Sequence, residues 1–271
     1  MGTTNGSDRG VFRCADGGAL QYEVAGSGEP VIFLHGFGLD SAMWDAQWPV
    51  FCNTHRVIRY DLRGYGASSL PGGRYSHVED YIALSRHLGA EHAHVVGLSL
   101  GGRLALRIAA AAPERVRSLA LVDAALDGHS WSPEWMTRWK EMVAAARIDV
   151  AQAKRMWHEH DLFKSARALP DVSKALQAMV MRYSGWHFAH EDPGAAPAKP
   201  VGDELHTIAM HCLIVVGAID LPDFQAIAAR LASGLPSTTF LHLPGVGHMA
   251  NMEDPRQFNA ALTAHLADCA G

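Results

Sequence analysis

Short apolar runs punctuate the chain at 31–34, 56–60, 94–96, 119–122, 213–216 and 240–243. Runs this brief and this rich in Val, Ile and Leu read as strands buried on both faces. Ahead of them, two strand-like pieces at 11–14 and 19–24 flank Asp16-Gly17-Gly18, a hairpin signal. Between the runs, segments with helical periodicity at 76–88, 100–112, 223–235 and 254–267 predict helices. The last two open on Asp223 and Asp254, acids suited to the positive end of a helix, and Asp223 is the expected N-cap of its helix. Buried strands alternating with helices require an α/β fold: a mostly parallel sheet of about eight strands with helices on both faces. Ligands of such sheets bind beyond the carboxyl ends of the strands.

One region breaks the alternation. From 127 to 200 there is no strand pattern, only helical periodicity, five of the seven tryptophans and a closing Pro/Ala-rich "EDPGAAPAKP". An insertion of this size between two strands predicts a helical cap over 127–200, carried by a core domain of 1–126 and 201–271. Trp131, Trp135 and Trp139 recur at i, i+4 and i+8, one face of a helix. That face either packs the cap on the core or lines a pocket, and Trp135 in its middle is the candidate substrate contact, with Trp157 and Trp186 behind it. Arg138 and Arg182 are candidate partners for a substrate carboxylate.

Composition narrows the function classes. The formal charge of −5 over 271 residues and the lack of a basic block give no footprint for nucleic acid or an anionic membrane. Cys14, Cys52, Cys212 and Cys269 are widely spaced, which argues against a disulfide framework or zinc ribbon and for a reducing compartment. With no apolar signal core near the start and no run approaching ~18 apolar residues, a cytoplasmic protein is expected. The polar residues 1–10 read as a loose tail. His158-Glu159-His160 and the His187/His190 pair do not form H-E-x-x-H, and residues 97–102 lack G-x-G-x-x-G spacing. Neither a metal nor a cofactor is expected.

The chemistry concentrates at strand ends. In "HVVGLSLGGRLAL" a strand runs through Gly97-Leu98-Ser99-Leu100-Gly101 into a helix. Ser99 is either a capping serine in a tight bend or a nucleophile on a strained elbow, with the helix amides aimed at a developing oxyanion. A base would come from His248, in the Gly-rich loop after the last strand. The acid is Asp220, beyond the strand of "CLIVVGAID", or Asp123, which ends "LALVD"; Asp220 is preferred because the order Ser99, Asp220, His248 is that of the elbow motif. "LHGFG" supplies a loop whose Phe37 N–H, with that of Leu100, would form an oxyanion hole.

These residues resemble the α/β-hydrolase superfamily from about residue 18 to the end. "LHGFG", "YDLRGYGASS", "VVGLSLGG", "PERVRSLALVDAA" and "PGVGHMANMEDP" follow the family order. The resemblance implies Ser99 as nucleophile, His248 as base and Asp220 as acid, and gives Asp61, Arg63, Gly64 and Gly66 a loop-shaping role. "WDAQWPVFCNTHRVIRYDLRGYGASS" is similar to the 3-oxoadipate enol-lactonase branch, although Ala218 stands where its members often carry glutamate. Haloalkane dehalogenases and epoxide hydrolases of this fold place aspartate at the elbow, where this chain has Ser99. The expected function is hydrolysis of a small ester or lactone through an acyl-enzyme. Carbon–carbon cleavage of a diketone-like product by the same triad is the alternative, and a ligand-binding protein that does not turn over is the alternative of another class. The expected partner is the small-molecule substrate, with a homodimer as candidate assembly.

Overall fold

The computed structural model describes residues 7–270. Its eight strands are β1 (Asp8–Arg13), β2 (Ala19–Ala25), β3 (Pro30–Leu34), β4 (Arg56–Tyr60), β5 (Ala93–Leu98), β6 (Val116–Val122), β7 (Cys212–Gly217) and β8 (Thr238–Leu243). They form one sheet in the order β1-β2-β4-β3-β5-β6-β7-β8. The β1–β2 and β2–β4 pairs are antiparallel, and every later pair is parallel. Ile32 pairs with both Ile58 and Val95 at the centre. Strands β5 and β7 are buried at every position, as expected where helices cover both faces.

The main helices are α1 (His77–His87), α2 (Leu100–Ala111), α3 (Pro133–Ala146), α4 (Val150–Glu159), α5 (Pro170–Arg182), α6 (Pro222–Gly234) and α7 (Pro255–Asp268). Ser76 caps α1 by accepting from Glu79 N, and Asp254 caps α7 by accepting from Gln257 N at 2.9 Å. Helices α3 to α5 all lie between β6 and β7, the stretch whose sequence lacks strand periodicity. No helix among the described residues is long and apolar enough to cross a membrane.

Three expectations are corrected. Residues 8–10 belong to β1, not a tail: Asp8 pairs with Val24, and Arg9 donates to Glu23 at 3.1 Å, so the hairpin partner extends the strand backwards. Residues 1–6 of the expected tail lie outside the described residues. Strand β8 is an edge, not buried on both faces, and Phe240 is 46% exposed because no further strand or helix covers it there.

The third concerns Asp223, which does not cap α6. It sits within the first turn of α6 and accepts instead from Ser132 N (2.9 Å), Ser132 Oγ (2.7 Å) and His129 Nε2 (3.0 Å). Ser132 is itself the N-cap of α3. One carboxylate therefore ties the start of the helical excursion to the core. Burial opposes its charge, but the bonds from Ser132 and His129 hold its pKa below the usual carboxylate range. A second tie joins Arg182, at the end of α5, to Asp40 through bonds of 2.8 and 3.0 Å.

Candidate active site

Ser99 joins β5 to α2 at φ 54° and ψ −112°. Ser99 and Asp123 are the only non-glycine residues at positive φ among those described. A non-glycine residue there costs of order 1–3 kcal/mol, which neighbouring structure must supply. Here the Ser99 N–H donates to Val122 O at 2.9 Å, and its carbonyl accepts from Arg103 N and Ala125 N, both at 3.0 Å. The turn also requires bare backbone on either side. A Cβ on Gly97 would overlap Gly101, and one on Gly101 would overlap the Leu34 carbonyl. The Ser99 hydroxyl makes no capping bond to α2. That removes the capping role and leaves the side chain on the wall of a cavity shared with Phe37 and Leu100.

His248 follows β8 in a loop that doubles back over β7, where a Cβ on Gly217 would overlap the Gly247 carbonyl. Glu253 grips this loop on both sides of the histidine, accepting from Gly247 N at 2.8 Å and Met249 N at 3.1 Å. Phe224 covers the imidazole, with ring centroids 4.2 Å apart. His248 Nδ1 donates to Asp220 Oδ2 at 2.8 Å, and Asp220 Oδ1 accepts from Leu221 N at 2.7 Å. Both side chains are almost wholly buried.

Asp123 ends β6 one strand away. Its Oδ1 accepts from Gly217 N at 2.8 Å, and its Oδ2 has no hydrogen-bond partner among the described residues. Side-chain atoms of Asp123, Asp220 and His248 lie within 4.8 Å of one another. Burial, reinforced by the neighbouring Asp220 carboxylate, pushes the Asp123 pKa well above the ordinary range. The two aspartates thus meet at one buried corner, but only Asp220 holds the histidine.

The loop after β3 faces the elbow. His35 Nδ1 donates to the Gly36 carbonyl at 2.8 Å, and its Nε2 accepts from Leu62 N at 2.9 Å, an arrangement only the neutral ring can make. Burial lowers the His35 pKa in the same sense. The Gly36 N–H is spent on Met43 Sδ at 3.3 Å. Phe37 then projects into an aromatic cage beneath the excursion helices, its ring centroid 5.4 Å from both Trp139 and Trp157. A cavity of about 660 Å³ opens between this loop, the elbow and α3.

A match to the alpha/beta hydrolase fold family model spans residues 29–255 and so contains the elbow, the aspartates and the histidine loop. The chain belongs to the α/β-hydrolase family. It is 32% identical over 269 residues to the dihydrolipoyllysine-residue acetyltransferase component of the acetoin cleaving system of Cupriavidus necator, covering 94% of this chain and 68% of that relative. It is 29% identical to 3-oxoadipate enol-lactonase 2 of Acinetobacter baylyi, over 91% of this chain and 92% of the relative. A solved esterase from Thermogutta terrifontis superposes with a TM-score of 0.83 at 26% identity, over 97% of this chain and 100% of that one. These likenesses support hydrolase activity and include the lactonase branch that the motifs resemble.

In this hydrolase Trp131, Trp135, Trp139 and Trp157 all line the cavity, so the tryptophan face both packs and walls the pocket. Trp131 precedes α3 and stacks on Trp135 at 4.6 Å between centroids. Arg138 lines a smaller recess and pairs with Glu141 at 3.2 Å, and Arg182 is engaged by Asp40; neither lines the main cavity. Asp61 and Arg63 shape loops: Asp61 accepts from Ser41 N and Ala67 N, and Arg63 pairs with Asp80 and Asp16. The sequence reading missed Phe224, Glu253 and Arg103. For Arg103 a signal existed, since it lies four residues from Ser99, one helical turn along the same face.

Proposed function

We propose that this α/β-hydrolase cleaves a carboxylic ester or lactone of a small organic substrate through an acyl-enzyme on Ser99. The observation that carries the reading is Ser99 itself, held in costly backbone geometry with a hydroxyl that serves no cap and borders the cavity. In the proposed mechanism, Asp220 holds His248 with Nδ1 protonated, leaving Nε2 to accept the serine proton. Ser99 Oγ attacks the carbonyl carbon. The N–H groups of Phe37 and Leu100 receive the oxyanion, worth about 3–4 kcal/mol per donor in comparable sites. The His248 Nε2–H then protonates the departing alkoxide, and water repeats the relay to release the acid and restore the serine. Helices α3 to α5 act as the cap over this site, and aromatic walls suit a compact, partly apolar acyl group. Rates on 4-nitrophenyl esters and a lactone series, wild type beside Ser99→Ala, test the reading. The variant is expected to lose at least ~10⁴-fold in kcat. Full turnover by Ser99→Ala would overturn it.

A further inference from the structure

The loop at 35–40 carries the Phe37 N–H that the mechanism assigns to the oxyanion, and two different parts of the molecule hold it. The core sets its base. The Gly36 carbonyl accepts from His35 Nδ1 at 2.8 Å and from Leu39 N at 3.3 Å. In a trans peptide the following N–H points opposite to that carbonyl, so these bonds aim the Phe37 N–H away from them. Beyond Gly36 the helical excursion between β6 and β7 takes over. The Phe37 ring is enclosed by Trp139, Trp157, Tyr183, His187 and Phe188 of the excursion and by Tyr65 of the core, with centroids 5.4–5.8 Å away. Gly38, at φ 71°, lies so close to Trp157 that a Cβ there would come 2.6 Å from the indole nitrogen.

Asp40 is the third point of grip. Its Oδ1 accepts from Ala42 N at 3.1 Å, and its Oδ2 accepts from Arg182 Nε at 3.0 Å and Nη2 at 2.8 Å. The Asp40 side chain is 7% exposed and that of Arg182 54%, so a buried carboxylate meets its ion-pair partner at the surface. Surface pairs are ordinarily weak, but burial of one member reduces screening. Arg182 is also the last residue of α5, and Tyr183, His187 and Phe188 of the Phe37 cage follow it directly. The ion pair therefore pins the same stretch of chain that encloses Phe37. Segments 37–40 and 182–188 interlock, and neither moves without the other.

We propose that Arg182 is a positioning residue for the reaction: through Asp40 it fixes the loop bearing the Phe37 N–H, so that seating the helical excursion completes the oxyanion hole. Misplacing a catalytic group by about 1 Å can cost as much as ~10²-fold in rate, and the pair guards against such a shift. The proposal rests on the acyl-enzyme reading of Ser99.

Arg182→Gln, Arg182→Lys, Asp40→Asn and the Arg182→Gln/Asp40→Asn double variant are compared with wild type on 4-nitrophenyl butyrate, with Ser99→Ala beside them. Arg182→Gln is expected to lower kcat at least fivefold with KM changed less than twofold. Arg182→Lys is expected to recover part of that loss, and the double variant to be no slower than Arg182→Gln, because both substitutions break one interaction. A second measurement reads the oxyanion itself. With butyl trifluoromethyl ketone, Ser99 Oγ adds to the carbonyl carbon, its proton passes to His248, and the carbonyl oxygen becomes an oxyanion in the hole. Butyl methyl ketone has the same chain and binds without that addition. Arg182→Gln is expected to weaken inhibition by the first at least fivefold and by the second less than twofold. Equal weakening of both, a loss confined to KM, or additive losses in the double variant would reduce the pair to a structural tie and overturn the proposal. Wild-type kinetics in Arg182→Gln, with Ser99→Ala inactive, would overturn this proposal alone. Full turnover by Ser99→Ala would overturn the acyl-enzyme reading and this proposal with it.

Discussion

At the carboxyl end of β6 Asp123 is held at φ 41°, with one oxygen on the Gly217 N–H and the other without a hydrogen-bond partner among the described residues. At the end of β7 Asp220 has both oxygens satisfied, one by Leu221 N and one by His248 Nδ1. The two carboxylates belong to adjacent strands and share one buried corner. Two like charges so close in low dielectric cannot both be held at low cost, and burial together with Asp220 raises the pKa of Asp123. What separates them is the direction from which the histidine loop returns. It comes from beyond β8, crosses β7 and meets Asp220 first. The same residue type in nearly the same place thus holds the histidine in one case and braces the neighbouring strand in the other.

The largest expected effect tests that division directly. Asp220→Asn is expected to lower kcat by about 10⁴-fold, through the wrong histidine tautomer rather than lost fold. Steady-state rates beside an unchanged thermal transition check it, and near-normal turnover would hand the acid role to Asp123. Smaller, and on stability rather than rate, is Asp123→Ala. It leaves the buried Gly217 N–H without its acceptor and is expected to cost about 1–3 kcal/mol, read from the urea midpoint.

Smaller again, per pH unit, is a pH dependence. Because the Asp123 pKa is raised on folding, the native state keeps a proton that the unfolded chain releases above about pH 4. The stability it contributes is complete below that point and is lost as pH rises through the native value. The gap between wild type and the non-titrating Asp123→Asn is therefore expected to move against the wild type by at most ~1.4 kcal/mol per pH unit above pH 4. Urea titrations from pH 4 to 8 measure it. A flat gap would mean that Asp123 titrates alike folded and unfolded.

Much of this architecture was legible before any coordinates. The run at 56–60 is β4 residue for residue, and the predicted helix at 76–88 matches α1 with Ser76 and Leu88 as its caps. Glycines two residues either side of Ser99 announced a turn with no room for side chains. Harder to read were residues whose role lies with distant partners. Asp223 looked like a helix cap because it opens a helical pattern, yet its three bonds go to residues more than ninety positions earlier. The last apolar run gave no hint that β8 would be an edge, since edge status belongs to the sheet order and not to the strand. Arg138 and Arg182 both stood as candidates for a substrate carboxylate until their partners Glu141 and Asp40 were known.

By itself the sequence determined the strand–turn–helix at Ser99, the alternation that forces a parallel sheet, and the hairpin at Asp16-Gly17-Gly18. All of these depend on sterics and periodicity within a few residues. Only the tertiary structure decided which of two strand-end aspartates holds His248 and which carboxylate ties the excursion to the core. Those roles depend on electrostatics and hydrogen-bond satisfaction between groups far apart in the chain, as with Asp123 and Gly217 across 94 residues. No local pattern encodes such a distance; only the finished packing brings the partners within reach of one another.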